Sequence, residues 1–215
     1  NLSLSRHGYA GSTWVPASAG TTCSGLFQGP LPCSPFYSNT SMTALPTRDY
    51  AAFLFDMDGT ILTSIIAAER VWAAWARSHG LDVDVFLPTI HGKRSIDTVR
   101  GVGLPDIDAH AEAQRITEAE IEDVDGIEAI AGVAAFLATL PAERWAIVTS
   151  APRLLAEARI AAAGLPLPPV LVSADDVTRG KPAPDPFLLG AEKLGMRPEQ
   201  CLVFEDTLAG LQSAA

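Results

Sequence analysis

Basic residues are scarce: the 215-residue chain carries 15 Lys and Arg against 25 Asp and Glu, a formal net charge of -10. A nucleic acid or an anionic membrane calls for a cationic surface, so neither is expected as a partner. Cysteine is nearly absent, with three residues. That excludes a disulfide framework and makes a reducing compartment, the cytoplasm, the default. Apolar runs fall short of the ~20 residues that span a bilayer. Aromatics are 7% and charged residues 19%, yet 48% of the chain is hydrophobic. This suffices for one buried core plus a small insert, and is too apolar for a disordered chain.

The shortage of charge is uneven. Residues 1–41 contain no Asp, Glu or Lys and a single Arg, Arg6, but eight Ser, four Thr, five Gly and four Pro. Cys23 and Cys33 lie here, and no apolar period of 2 or 3.6 persists. Residues 1–48 are therefore expected to be disordered. A secretory signal is not expected, since the apolar stretch is missing; the Ser-rich, acid-poor composition suits an organellar transit peptide, although one Arg is few. The preferred reading makes Met42 the native start and the preceding residues an extension. At the other end, "CLVFEDTLAGLQSAA" reads as a strand, a turn and the start of a helix, so a truncated core is expected there.

From residue 49 onward, short apolar strands alternate with helices. Strands are expected at 52–55, 145–150, 169–174 and 201–206, and helices at 64–79, 128–140, 153–163 and 184–194. Residues 82–125 read as helical pieces with a loop at "HGKRS". The alternation predicts an α/β fold with a parallel sheet. About 90 residues separate the first two strands, too many for one crossover, so a helical insert stands between them. The expected organisation is core over 49–63, a helical cap over 64–126, and core again over 127–215.

Four groups of reactive residues fall at or just beyond the carboxyl ends of these strands, where open α/β sheets bind ligands. They are Asp56 and Asp58 in "DMDGT", Thr149-Ser150, Lys181 in "RGKPAPDPF", and Glu205-Asp206. Carboxylates crowded at one crevice repel one another unless a cation sits among them. They are hard oxygen donors with no His or Cys cluster beside them, so Mg2+ is the expected ion. Hydroxyls, backbone N–H groups and a lysine suit a phosphate dianion. Together they point to phosphoryl transfer.

"FDMDGT", "VTS", "GKPAPDPF" and "VFEDTLAG" resemble, in order and spacing, the four motifs of the haloacid dehalogenase superfamily. The resemblance covers about 50–215 and implies a Rossmann-like parallel sheet with a small α-helical cap inserted after the first strand. "AAERVWAAWARSHGL", "IHGKRSIDTVR" and "WAIVTSAP" look most like the bacterial sugar (hexitol and hexose) phosphatases of that superfamily. It implies that Asp56 is the nucleophile, forming an aspartyl-phosphate. Asp58 is then the general acid and base, with its backbone carbonyl a further metal ligand. Asp56, Asp58 and Asp206 are the implied Mg2+ ligands, and Glu205 acts through water. Thr149, the Ser150 N–H and Lys181 are implied phosphate ligands. The resemblance implies small sugar or polyol phosphates as substrates of a monomeric enzyme. Thr63 departs from the superfamily, which has Asp or Asn there; it is expected to cap the following helix.

Other residues are set against plainer roles. His91, Lys93 and Arg94, in the cap loop, are candidate substrate contacts, although a basic loop is usually solvated surface. Trp72 and Trp75 are expected in the cap core rather than as a sugar platform. Glu69 is expected to be exposed and Cys201 buried. Dehalogenase and phosphonatase readings are disfavoured by Asp58. A β-phosphoglucomutase-like phosphomutase needs a cap cation for a second phosphate, which Lys93 or Arg94 could supply. A catalytically weak fragment is the reading from outside enzymology.

Overall fold

The computed structural model describes residues 49–215; the expectations of disorder over 1–48 and of a start at Met42 lie outside them. In chain order, β1 (Ala52–Phe55) and β2 (Leu62–Thr63) lead into four helices, α1 (Ile65–Ser78), α2 (Val83–Phe86), α3 (Ser95–Val102) and α4 (Ala109–Glu122). Then come β3 (Glu128–Ala129), α5 (Val133–Leu137), β4 (Trp145–Val148), α6 (Arg153–Ala162), β5 (Leu171–Val172), α7 (Asp185–Lys193), β6 (Cys201–Phe204) and α8 (Leu208–Ala214).

The main sheet has the order β5-β4-β1-β6, with every pairing parallel. Both faces are covered, which is why its strands read as continuous apolar runs. The two-residue period sends Phe55 and Ile147 to one face, against Leu155 and Ile160 of α6. Leu54, Ala146 and Val148 go to the other, against Phe187 and Ala191 of α7. Phe55 stacks on Phe204 of the adjacent strand, with ring centroids 4.9 Å apart. This is the expected α/β fold, with β1 in the middle of its sheet.

The helical insert has a core of its own. Trp72 and Trp75 of α1 cluster with Phe86, Val99 and Ile116, and the two indoles meet edge to face at 5.7 Å. Both tryptophans are thus core, as expected. The two ends of the insert come together in a second small sheet, where Leu62-Thr63 pairs antiparallel with Glu128-Ala129.

That pairing overturns two expectations. Residues 128–140 do not form one helix: β3 takes the first two, and Gly132 then sits at φ +88 before the short α5. A left-handed residue breaks a right-handed helix, and Gly supplies it at little steric cost. Thr63 does not cap α1, since it lies in β2; Ser64 holds the cap position, and its hydroxyl turns instead to Asp58. Cys201 is half-buried rather than buried. Among the described residues, no helix is long and apolar enough to cross a membrane.

Candidate active site

Asp56 follows β1 directly and is buried, 6% exposed. Lys181, 5% exposed and just ahead of α7, places Nζ 2.5 Å from Asp56 Oδ1 and 2.6 Å from Glu205 Oε2. Its ammonium also lies over the Phe187 ring, 4.9 Å from the centroid. A lysine so enclosed is tolerable only because it is paired, and removing either partner strands a buried charge. Burial alone would lower its pKa, but Asp56 and Glu205 raise it above the usual value, so the cation persists.

Glu205 is fixed from both sides. Oε2 accepts from Lys181, while Oε1 accepts from the Thr207 hydroxyl at 2.8 Å and the Thr207 N–H at 3.1 Å. Thr207 Oγ1 also accepts from the Gly210 N–H, capping α8. Asp206 is exposed and lies beside Gly59, whose φ is +86 and whose missing β-carbon makes room for it.

Asp56, Glu205 and Asp206 each offer a carboxylate oxygen, all within 4.8 Å of one another. Burial, first, then the charges of Glu205 and Asp58, push the Asp56 carboxyl up to about 7 despite Lys181. Burial and Glu205 raise Asp206 to about 6. One lysine does not balance this group. Three hard oxygen donors short of positive charge suit a divalent cation such as Mg2+.

Asp58 stands apart from that trio. Its Oδ1 accepts from Ser64 Oγ at 2.5 Å and from Arg159 Nη1 at 2.9 Å. Arg159, on α6, extends its other terminal nitrogen to Glu120 Oε1 of α4, also at 2.9 Å. Thr149 is buried after β4, and its hydroxyl accepts from the Ala151 N–H at 3.1 Å. The Ser150 hydroxyl donates to the Gly92 carbonyl across the loop of the insert, at 3.2 Å.

Asp56, Asp58, Thr149, Ser150 and Asp206 line one cavity of about 120 Å³, roofed by His91 and Lys93. Arg94, expected beside them, turns away. It pairs with Asp97 and donates to the Thr178 carbonyl, joining the insert to the loop before Lys181. Glu69, expected to be exposed, is half-buried and 3.3 Å from His91 Nε2. Sequence reasoning missed Ser64, Glu120, Arg159 and Thr207, all of which line the same cavity.

The family model of the haloacid dehalogenase-like hydrolases matches residues 50–215. The chain belongs to that family. Hexitol phosphatase A of Escherichia coli (strain K12) is 46% identical over 165 residues, spanning 75% of this chain and 76% of that protein. Fructose-1-phosphate phosphatase YqaB of the same organism is 34% identical over 174 residues, 77% of this chain and 91% of that one. Among solved structures, a hydrolase from Pseudomonas syringae superposes with a TM-score of 0.68 at 26% identity, covering 77% of this chain and 79% of its own. The expected enzyme class, a phosphatase within the haloacid dehalogenase-like family, is the class of these curated relatives.

Proposed function

We propose that the protein hydrolyses small sugar or polyol phosphate monoesters, with Mg2+, through an aspartyl-phosphate on Asp56. The observation that carries this reading is the pairing of buried Asp56 with Lys181 at 2.5 Å, while a second carboxylate, Asp58, faces the same cavity. The named activities of the relatives support it. Lys181 holds Asp56 in place and neutralises phosphoryl oxygens as they arrive, and Thr149 and Ser150 bind the remaining ones.

An Asp56 oxygen attacks phosphorus, and the bond from phosphorus to the sugar oxygen breaks. Asp58 gives its proton to that leaving oxygen. It then takes a proton from the water that attacks the phosphoaspartate, which releases phosphate and restores Asp56. Asp56 and Asp206 would hold Mg2+, with the Asp58 carbonyl as a further ligand and Glu205 acting through water, and the ion would offset the charge gathered around the phosphoryl group.

Residues 64–126 act as a cap over a core of 49–63 and 127–215, closing out water. His91 and Lys93 contact the sugar end. With Arg94 tied to Asp97 and Thr178, only Lys93 of the cap cations expected for a second phosphate lines the cavity. Lys93 meets the need of a phosphomutase for one cap cation, so that chemistry stands as the alternative reading. The acidic balance and sparse cysteine fit a cytoplasmic monomer that acts on small molecules.

A phosphate-release screen over sugar, polyol and nucleotide phosphates, with Mg2+ and with EDTA, tests the reading. Free phosphate from sugar or polyol substrates, lost with EDTA and abolished in Asp56→Asn, is expected. Conversion of a hexose 1-phosphate to its 6-phosphate would establish the mutase instead. No turnover of any phosphate ester would leave only the inactive-fragment reading.

A further inference from the structure

We infer that Arg159 is a positioning residue for Asp58, anchored from the helical insert by Glu120, and that this linkage aligns the acid for proton delivery to the leaving group. The inference rests on the proposed role of Asp58 as acid and base.

Arg159 is 6% exposed and Glu120 4%, so both side chains are held out of water. Such burial is expensive, and an apolar pair of similar volume often serves stability as well or better. Stability therefore does not account for a cation here, whereas its position does. Its planar fork spans two carboxylates on different elements, Asp58 after β1 and Glu120 on α4, each 2.9 Å from a separate terminal nitrogen. A lysine, a point donor on a flexible stem, does not reproduce this bridge.

The remaining donor of the fork supports the same view. Arg159 Nε is buried without a hydrogen-bond partner among the described residues. A guanidinium free to satisfy itself would turn to place that N–H, but the two carboxylates dictate its plane instead. Glu120 is in turn held by Trp72 of α1, so the anchor is built into the core of the insert.

At Asp58, both the Arg159 contact and the Ser64 contact fall on Oδ1. Fixing one oxygen fixes the carboxyl plane and makes Oδ2 the oxygen that carries the proton toward the substrate. Because Glu120 belongs to the insert and Arg159 to the sheet-covering helix α6, alignment of the acid depends on the insert being seated.

The test is a leaving-group series of aryl phosphates, from 2,4-dinitrophenyl phosphate, which departs without protonation, to phenyl phosphate, which needs it. Asp58→Asn is the control: its loss should grow steeply along the series. Arg159→Lys should lose about 10- to 100-fold in kcat/KM on phenyl phosphate and under about 3-fold on 2,4-dinitrophenyl phosphate, part of the range that acid catalysis supplies. Glu120→Gln should show the same tilt, more weakly. If Arg159→Lys does not fold, the Glu120→Gln/Arg159→Gln double variant, which buries no net charge, must still show the tilt. An equal loss on both esters, with Asp58→Asn tilted, would overturn the positioning role and leave the phosphatase reading intact. An untilted Asp58→Asn would overturn the acid role and this inference with it.

Discussion

A β-carbon on Gly59 would fall inside the carboxylate of Asp206. The nucleophile loop and the loop after β6 are thus packed without space for one methyl group. Gly59 also sits at φ +86, where any L side chain is strained. Gly59→Ala should destabilise the protein by about 1 kcal/mol or more. It should cut kcat/KM by roughly 100-fold by moving Asp206, a displacement of order 1 Å being enough for that. Half-saturation by Mg2+ should shift upward in the same variant. Kinetics across a Mg2+ titration, beside a thermal melt, check this; near-normal Mg2+ dependence would show that Asp206 can move aside freely.

Titration of Asp56 and Asp206 should be visible in stability. Asp56 rises from 3.8 to about 7 and Asp206 from 3.8 to about 6 in the folded state. Both folded values exceed the unfolded one, so the native state holds extra protons across that window. Without divalent cations, the contribution of these two groups to stability should therefore be fully present below about pH 4 and be lost as pH rises toward about 7. Mg2+ has to displace those protons, so its stabilising effect should grow over the same range. The gain in Tm on adding Mg2+ should be roughly twofold larger near pH 8 than near pH 5. A gain independent of pH would place the ion elsewhere.

Asp176 carries a separate, purely structural prediction. Burial alone would raise its carboxyl, but hydrogen bonds from the Ser173 N–H and hydroxyl, with Lys193, outweigh this and hold it well below the usual range. Arg153 of α6 adds a contact at 2.8 Å. This carboxylate ties α6 and α7 to the turn after β5. Its folded pKa is depressed, so its contribution is present above pH 4 or so and fades as pH falls below that. Asp176→Asn should cost about 1–3 kcal/mol near neutral pH. The gap to wild type should shrink in acid, with turnover per folded molecule unchanged. Denaturant melts at neutral and acidic pH measure it.

Asp56, Thr149 and Glu205 were legible because each follows an apolar strand run directly, and the sheet order brings those ends together, whereas Lys181 stands beyond its strand, ahead of α7. β1 formed over the expected residues, 52–55, since four apolar residues ahead of Asp56 leave little alternative. Strand ends were overextended where backbone pairing stopped early: the run at 169–174 gives only Leu171-Val172. The buried charges were harder to see. Arg159 belongs to the apolar stripe Leu155, Ala156, Ile160 of α6, and Glu120 to the stripe Ala113, Ile116 of α4. A charge in such a stripe is the available signal, but its partner is distant in sequence: 39 residues separate Glu120 from Arg159 and 101 separate Asp58 from it. Helical periodicity carries no information across such gaps. Thr207 was hidden for a different reason, because its role depends on which carboxylate oxygen Lys181 leaves open.

The central place of β1 also decides when the enzyme can first exist during its own synthesis. Its neighbours are β4 and β6, and about 150 residues separate it from β6, which at typical elongation rates is a wait of roughly 7–30 s. The insert, which has a core cluster of its own around Trp72, Trp75, Phe86, Val99 and Ile116, can begin to collapse on the ribosome in that interval. The nucleophile strand cannot, since its apolar residues have no second partner strand until β6 emerges. The nascent chain therefore carries a folded insert on an unfinished sheet, with Phe53 and Phe55 open to other chains, and that interval is when a chaperone would matter most to the yield of active enzyme.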